Sequence, residues 1–468
     1  MTTNRPFLQA ILMKALHCLF GLTPFLWIGA FAAEPASTAV VTAKRFPSFH
    51  ASTDPAVQQA HAKLWSGHID PHGIILDFIG EIPTAEDCAL GRPNAIGWRS
   101  PLANGAMFTG LYLPAACARA RRSGAAADRM EARRLAQGLL KCASVSTVRG
   151  FVARGIAADG MSHYPMGSDD QTHPWFYGLQ VYVQSGLPSA DERGQIVAKM
   201  VEVADALEAL GWKCPCDGSF TGQFRGHFKG PQFRDAVRYL HMLRIMYDVT
   251  RDARWLERYR QASVERPAKS DLTRAEICAV GYSQDREAIK GIDENSLWIY
   301  VGCQDALAGL ATMEADKPLR AQYRSGLAAN VRNALPAVAV HGEFDNQDRK
   351  VFGNADWRAG YPNWVPQKTQ ADAEKLVENR DKVKLGQRKF YESKLMRNPL
   401  AAAAIVALGG GEAERGAVEA ALRHYDYAKL NMSEFFFAEC AYYALTGLGE
   451  TGSGRDSRPA NSQKNALR

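Results

Sequence analysis

Residues 172–210 read THPWFYGLQVYVQSGLPSADERGQIVAKMVEVADALEAL, and their pattern decides the fold. The first limb, to residue 185, is aromatic and apolar on all sides. The second, 190–210, sets Ile196, Met200, Val203, Leu207 and Leu210 at helical spacing on a single face. Gly186-Leu187-Pro188 interrupts the chain between them. The pair therefore reads as a helical hairpin with one limb buried and the other half-exposed.

The same plan recurs along the chain. Helices are expected at 100–124 and 129–146, at 233–249 and 253–262, at 294–315 and 318–335, and at 398–408 and 412–424. Ser100-Pro101 and Asn398-Pro399 each place a capping residue before a proline suited to the first helical position, whereas Pro114 is expected to kink its helix. The run Leu297-Trp298-Ile299-Tyr300-Val301 is apolar all round, and its partner confines Leu319, Tyr323, Leu327 and Val331 to one stripe. A first helix at 55–66 and a last one at 433–445 are left to pair with each other, making twelve in all. Linkers inside the hairpins are tight. Those between hairpins, 67–99, 147–171, 211–232, 265–292 and 338–386, are long and rich in Gly, Pro, aromatics and charge. In a ring of antiparallel hairpins the long linkers share one rim, at the N-termini of the inner helices.

This arrangement of hairpins resembles that of the six-hairpin, (α/α)6-toroid carbohydrate enzymes, over roughly residues 55–449. The resemblance implies an all-α fold with long loops on one rim, and a glycosidase-like funnel there. It is architectural and transfers no catalytic residue.

Residues 1–32 carry Arg5 and Lys14 ahead of an apolar run ending in small residues, the form of a secretory signal peptide; a retained anchor is the competing reading. Cleavage predicts a soluble periplasmic or secreted protein with no stable membrane span, a flexible segment at 33–54 and a disordered tail at 450–468. Losing the signal lowers the formal charge from +7 to +5. With no dense basic run, nucleic acid is not an expected partner. Cys88, Cys117, Cys142, Cys214, Cys216, Cys278, Cys303 and Cys440 remain, either as disulfides or as buried thiols. Cys214-Pro215-Cys216 lacks a second pair at zinc-like spacing; His68, Asp70 and His72 suggest a metal site but are read as hydrogen-bonding groups, and no cofactor is implied.

Glycoside hydrolysis needs a proton donor and a second carboxylate. Asp169 and Asp170 head the candidates, because neighbouring carboxylates tend to split their pKa values. Pro174 argues against a helix begun at Asp169, so the helix is expected to start at Thr172 or His173, with both acids in the loop above it. Ser168 and Gln171 also form a capping-box pattern. Asp170 is read as the general acid, with its partner among Asp169, Asp293 and Glu294; Asp293 also suits an N-cap. Further rim acids include Asp77 and Glu81. Sugar contacts are expected from His163, Tyr164, His173, Trp175, Trp357 and Trp364, and from Arg225, His227 and Lys229, whose charges suit a uronate or sulfate. The leading expectation is an exported hydrolase of a poly- or oligosaccharide. A polysaccharide lyase, with Tyr164 or His163 abstracting a proton and Arg225 or Lys229 neutralising a uronate, is the alternative, and a non-catalytic glycan-binding toroid is the third reading. The charge-rich segment 368–389 is either an arm or a solvated helix.

Overall fold

A computed structural model describes residue 51 and residues 53–288, 296–361, 364–380 and 387–447. The expected signal peptide, most of the 33–54 segment, the 450–468 tail, Asp293 and Glu294 lie outside the described residues. The described residues are all-α apart from one small β-hairpin. Its helices are α1 (Thr53–Gly67), α2 (Ala85–Leu90), α3 (Gly105–Ser123), α4 (Ala126–Cys142), α5 (Asp169–Gln184) and α6 (Ala190–Ala209). They continue with α7 (Phe233–Thr250), α8 (Ala253–Val264), α9 (Arg274–Val280), α10 (Ser283–Ala288), α11 (Val301–Met313) and α12 (Lys317–Val338). The last are α13 (Gln370–Arg380), α14 (Gln387–Glu392), α15 (Asn398–Gly409), α16 (Glu412–His424) and α17 (Phe437–Gly447). Strands β1 (Lys213–Pro215) and β2 (Phe224–His227) pair antiparallel. Among the described residues no helix is long and apolar enough to cross a membrane.

Packing follows the hydrophobic pattern. In α4 the buried residues Ala132, Leu135, Ala136, Leu139 and Cys142 form one stripe, and in α8 Trp255, Tyr259 and Ala262 do the same. By contrast, α15 is buried from Asn398 through Ala407 and α3 along nearly its whole length, so these helices are enclosed. Helix α3 packs on α5, α5 on α7, α7 on α11, α11 on α15, and α15 on α17. Outside them α4 covers α3, α6 lies against α5 and α7, α8 against α7, α12 against α11 and α15, and α16 and α1 against α17. The eight cysteines among the described residues are unpaired thiols, seven of them buried.

Helix starts and caps differ from expectation in several places; α11 and α17 begin at Val301 and Phe437, each after a short 3-10 turn. Helix α3 begins at Gly105, because Ser100 instead donates to the Gly97 carbonyl and closes a turn ahead of it. Asn398 caps nothing in its own helix, since α14 runs into α15 through a π-helical turn at Ser393–Arg397; its Oδ1 accepts the Leu297 N–H at 3.1 Å. Helix α5 starts at Asp169 with Pro174 inside it. The Ser168 carbonyl accepts both Thr172 N (3.0 Å) and Thr172 Oγ1 (2.8 Å), and both aspartates face arginines, which together offset the bond lost at proline. Ser168 and Gln171 do not form a capping box, as Gln171 turns to α3.

The crossing of α3 and α5 is backbone on backbone. A Cβ at Gly110 would lie 2.2 Å from the Pro174 carbonyl oxygen, and one at Gly178 would lie 2.7 Å from that of Gly110. Neither neighbour is a flexible side-chain tip. Gly110→Ala is expected to lower stability by about 1–3 kcal/mol through overpacking, read as an earlier midpoint in denaturant unfolding; an unchanged midpoint would show that the crossing can spread at no cost.

Candidate functional site

The ends of the enclosed helices meet at a cavity of about 650 Å³. Its lining includes Asn104 and Met107 at the start of α3, Asp169 and Asp170 at the start of α5, and Arg234 and Arg238 at the start of α7. Trp298, Arg397 and Glu434 stand in the short turns leading into α11, α15 and α17. Loop residues Asp77, Trp98 and Arg225 add to the walls, and α13, from the charge-rich segment, contributes Gln370, Glu374 and Val377.

Asp170 is held by a buried cation. Arg154, with no exposed surface, donates to the carbonyls of Ala103 (2.7 Å) and Met166 (3.2 Å) and to Ser168 Oγ (2.7 Å), and its Nη2 lies 3.5 Å from Asp170. Ser168 also donates its hydroxyl to Asp170. About 28% of the Asp170 side chain stays accessible from the cavity, although protein surrounds it. Burial pushes its carboxyl up, but Arg154, Arg225 and the Ser168 bond outweigh burial and hold it down at about 2. Asp170 is therefore a carboxylate throughout the neutral range and carries no proton to donate, contrary to its expected role. Asp169 makes a 2.6 Å ion pair with Arg238 and lies against Gly226, where φ is +81° and an added Cβ would meet Asp169 Oδ1 at 2.2 Å.

Asp77 has the opposite character. Asn104 donates to it twice, from its backbone N (2.8 Å) and from Nδ2 (2.9 Å), yet burial, reinforced by the Glu434 charge, pushes the Asp77 carboxyl up to about 7. Burial also raises Glu434, although Arg397 lies 3.4 Å away; one Glu434 oxygen has no hydrogen-bond partner. Gln171 bridges the two sides of the site, donating to Asn104 Oδ1 (3.3 Å) and accepting from Met107 N (3.0 Å). Two carboxyl sites with ionisations pushed apart thus face one cavity, linked by an Asn-Gln bridge.

Several expected contacts are elsewhere. Tyr164 is buried under Gly97 and donates to the Arg92 carbonyl, and burial holds its phenol well above the ordinary range. His163 is bonded to Asp217 at 2.7 Å, outside the lining. His173 Nε2 lies 3.0 Å from His241 Nδ1, and burial keeps both rings neutral. Trp175, Trp357 and Trp364 donate to the carbonyls of Leu139 (2.6 Å), Glu81 (2.7 Å) and Gly91 (2.9 Å), so they seal helices and loops. His227 is exposed and off the lining, and Lys229 faces a different surface groove beside Trp212 and Tyr239. Of the expected residues, Asp169, Asp170 and Arg225, with the rim acid Asp77, reach the cavity; Asp293 and Glu294 are outside the described residues. Residues not expected there are Trp298, Arg238, Arg234, Arg397, Glu434 and Asn104. Each lies at or just before the first turns of an enclosed helix, a position the rim argument would have found had it been applied to every helix.

His68 contacts the Lys63 and Asn431 carbonyls, and Asp70 accepts the backbone N–H groups of His72 and Ile74, so that set is a hydrogen-bonding cluster. His61, Asp128 and Glu131 bring ligand-type atoms within 4.8 Å of one another. Burial disfavours the His61 imidazolium, but Glu131 and Glu439 more than offset that and raise it to about 9, while Arg119 lies 3.1 Å from Asp128. These charges form an ion-pair network joining α1, α3, α4 and α17. Comparison of the chain with family models, with curated proteins and with solved structures returned no match.

The Asp77 carboxyl rises from an ordinary 3.8 to about 7 on folding, so the folded state holds the extra proton between those values. Its contribution therefore favours folding at low pH and is lost as pH rises through about 7. The thermal midpoint of the unmodified protein should decline between pH 4 and 7 more steeply than that of Asp77→Asn, and parallel curves would remove this assignment.

Proposed function

We propose that the protein is an exported glycoside hydrolase built as an (α/α)6 toroid. Support for the ring comes from the packing order of α3, α5, α7, α11, α15 and α17, with α17 packed in turn on α3 and a second helix outside each. Export rests on the signal-like residues 1–32. The observation that carries the hydrolase reading is geometric: two carboxyls face one cavity in opposite surroundings, Asp170 beside the buried Arg154, which favours its ionised form, and Asp77 buried beside Glu434, which favours its protonated form. That division of labour is what hydrolysis of an acetal needs.

In this mechanism the protonated Asp77 site gives its proton to the glycosidic oxygen as the bond to the anomeric carbon breaks. Asp170, ionised, opposes the positive charge that develops on that carbon. Water supplies the new oxygen at the anomeric carbon, and its proton returns to the enzyme's carboxylates. Trp98 and Trp298 line the cavity with Arg225 and Arg397 stacked on their rings, and Asn104 and Gln171 keep Asp77 at a set distance from the first turn of α5. Relative to the sequence expectation, Asp170 becomes the anionic partner and Asp77, expected only as a further rim acid, becomes the proton donor. The lyase reading is weaker, because neither Tyr164 nor His163 lines the cavity.

Incubating the mature protein with neutral and acidic glycans should yield new reducing ends without the ultraviolet absorbance of unsaturated uronates. Asp170→Asn and Asp77→Asn should each lower kcat about 10²–10⁴-fold with unchanged circular dichroism. The profile of kcat/KM should fall above about pH 7, where Asp77 loses its proton, and not between pH 7 and the low value of Asp170. Full turnover by both variants, or absorbance appearing with the reducing ends, overturns the mechanism; saturable binding with no product favours a glycan-binding toroid.

A further inference from the structure

Among the described residues, six cationic side chains line the cavity, Arg99, Arg225, Arg234, Arg238, Arg397 and Lys389, beside five acidic ones, one of which, Asp77, is raised to about 7. Four of the cations are engaged. Arg238 is held by Asp169 at 2.6 Å and Arg397 by Glu434 at 3.4 Å, and Arg99 and Lys389 also have partners. The guanidinium groups of Arg225 and Arg234 have no hydrogen-bond or ion-pair partner among the described residues, and the Nε of each is buried. Arg225 lies on β2 with its Cζ 4.9 Å from the Trp98 ring centroid, and Arg234 occupies the first turn of α7.

An unpaired guanidinium in a restricted cavity costs free energy, which an incoming anion recovers. The fork of an arginine matches a carboxylate in two parallel hydrogen bonds, and stacking on the Trp98 ring holds the Arg225 guanidinium at the cavity wall. Arg225 also acts electrostatically on Asp170, so an anion held there sits near the reacting carbon.

We infer that Arg225 and Arg234 form an anion subsite that binds the carboxylate of a uronic acid residue, making the substrate an acidic glycan. The inference rests on the hydrolase reading for its chemistry, but the binding it asserts can be tested alone. His227 and Lys229 take no part, since neither lines the cavity.

The test is calorimetric titration of the full mature chain carrying Asp170→Asn. The probes are an oligo-uronate, the same oligosaccharide with its carboxyls reduced to alcohols, and a sulfated oligosaccharide lacking carboxyls. The oligo-uronate should bind about 10–100-fold more tightly than its reduced form. Arg225→Met and Arg234→Met should each remove most of that preference while leaving the reduced form's affinity and the thermal midpoint nearly unchanged. Equal affinities, a preference that survives both substitutions, or tighter binding of the sulfated probe overturns the subsite. A Lys229→Met variant should behave as the parent, and loss of the preference there also counts against it. The two readings fail differently: acid-selective binding with no hydrolysis by the unmodified protein sinks the hydrolase alone, whereas hydrolysis of neutral glycans indifferent to Arg225 and Arg234 sinks only the subsite.

Discussion

The buried guanidinium of Arg154 is the constraint on which the site depends. A charge with no exposed surface is tolerable only if its donors are satisfied, and Arg154 spends them on Ala103, Met166 and Ser168. Those contacts tie the segment ahead of α3 to the segment ahead of α5. The same cation fixes the first turn of α5 and holds Asp170 ionised. Burial lowers the guanidinium to about 10, which still leaves it charged at neutral pH.

From that point the geometry spreads through short polar links and close helix contact. Gly110 and Gly178 let α3 and α5 approach until backbone touches backbone, which brings Gln171 within reach of Met107 and Asn104. Asn104 in turn holds Asp77, whose carbonyl accepts the Ser433 N–H at 3.0 Å beside Glu434. Cavity carboxyls from the first long loop, from α5 and from the turn before α17 are thus coupled by packing, although they are far apart in the chain.

Much of the helical plan was legible in the residues. The stripes in α6 and α12, the tight links within hairpins and the long links between them all follow from local periodicity and turn chemistry. Helix starts were less legible. Pro174 argues locally for a later start of α5, and the ion pairs of Asp169 and Asp170 override it; Asn398 looks like a cap and instead serves a neighbouring turn. The aromatic residues misled for a related reason. Trp175, Trp357 and Trp364 have the composition of sugar platforms, but each spends its indole N–H on a buried carbonyl, whereas Trp298, in an apolar run that reads as core, reaches the cavity.

By itself the sequence determined the all-α class and the succession of hairpins, because helical period and turn composition are properties of neighbouring residues. Only the tertiary structure decided which carboxyl holds a proton and which does not. Asp170 is set by Arg154 and Arg225, and Asp77 by Glu434 and by burial between distant segments. Ionisation depends on charges and solvent within a few ångströms, and those neighbours are assembled from parts of the chain that no local pattern connects.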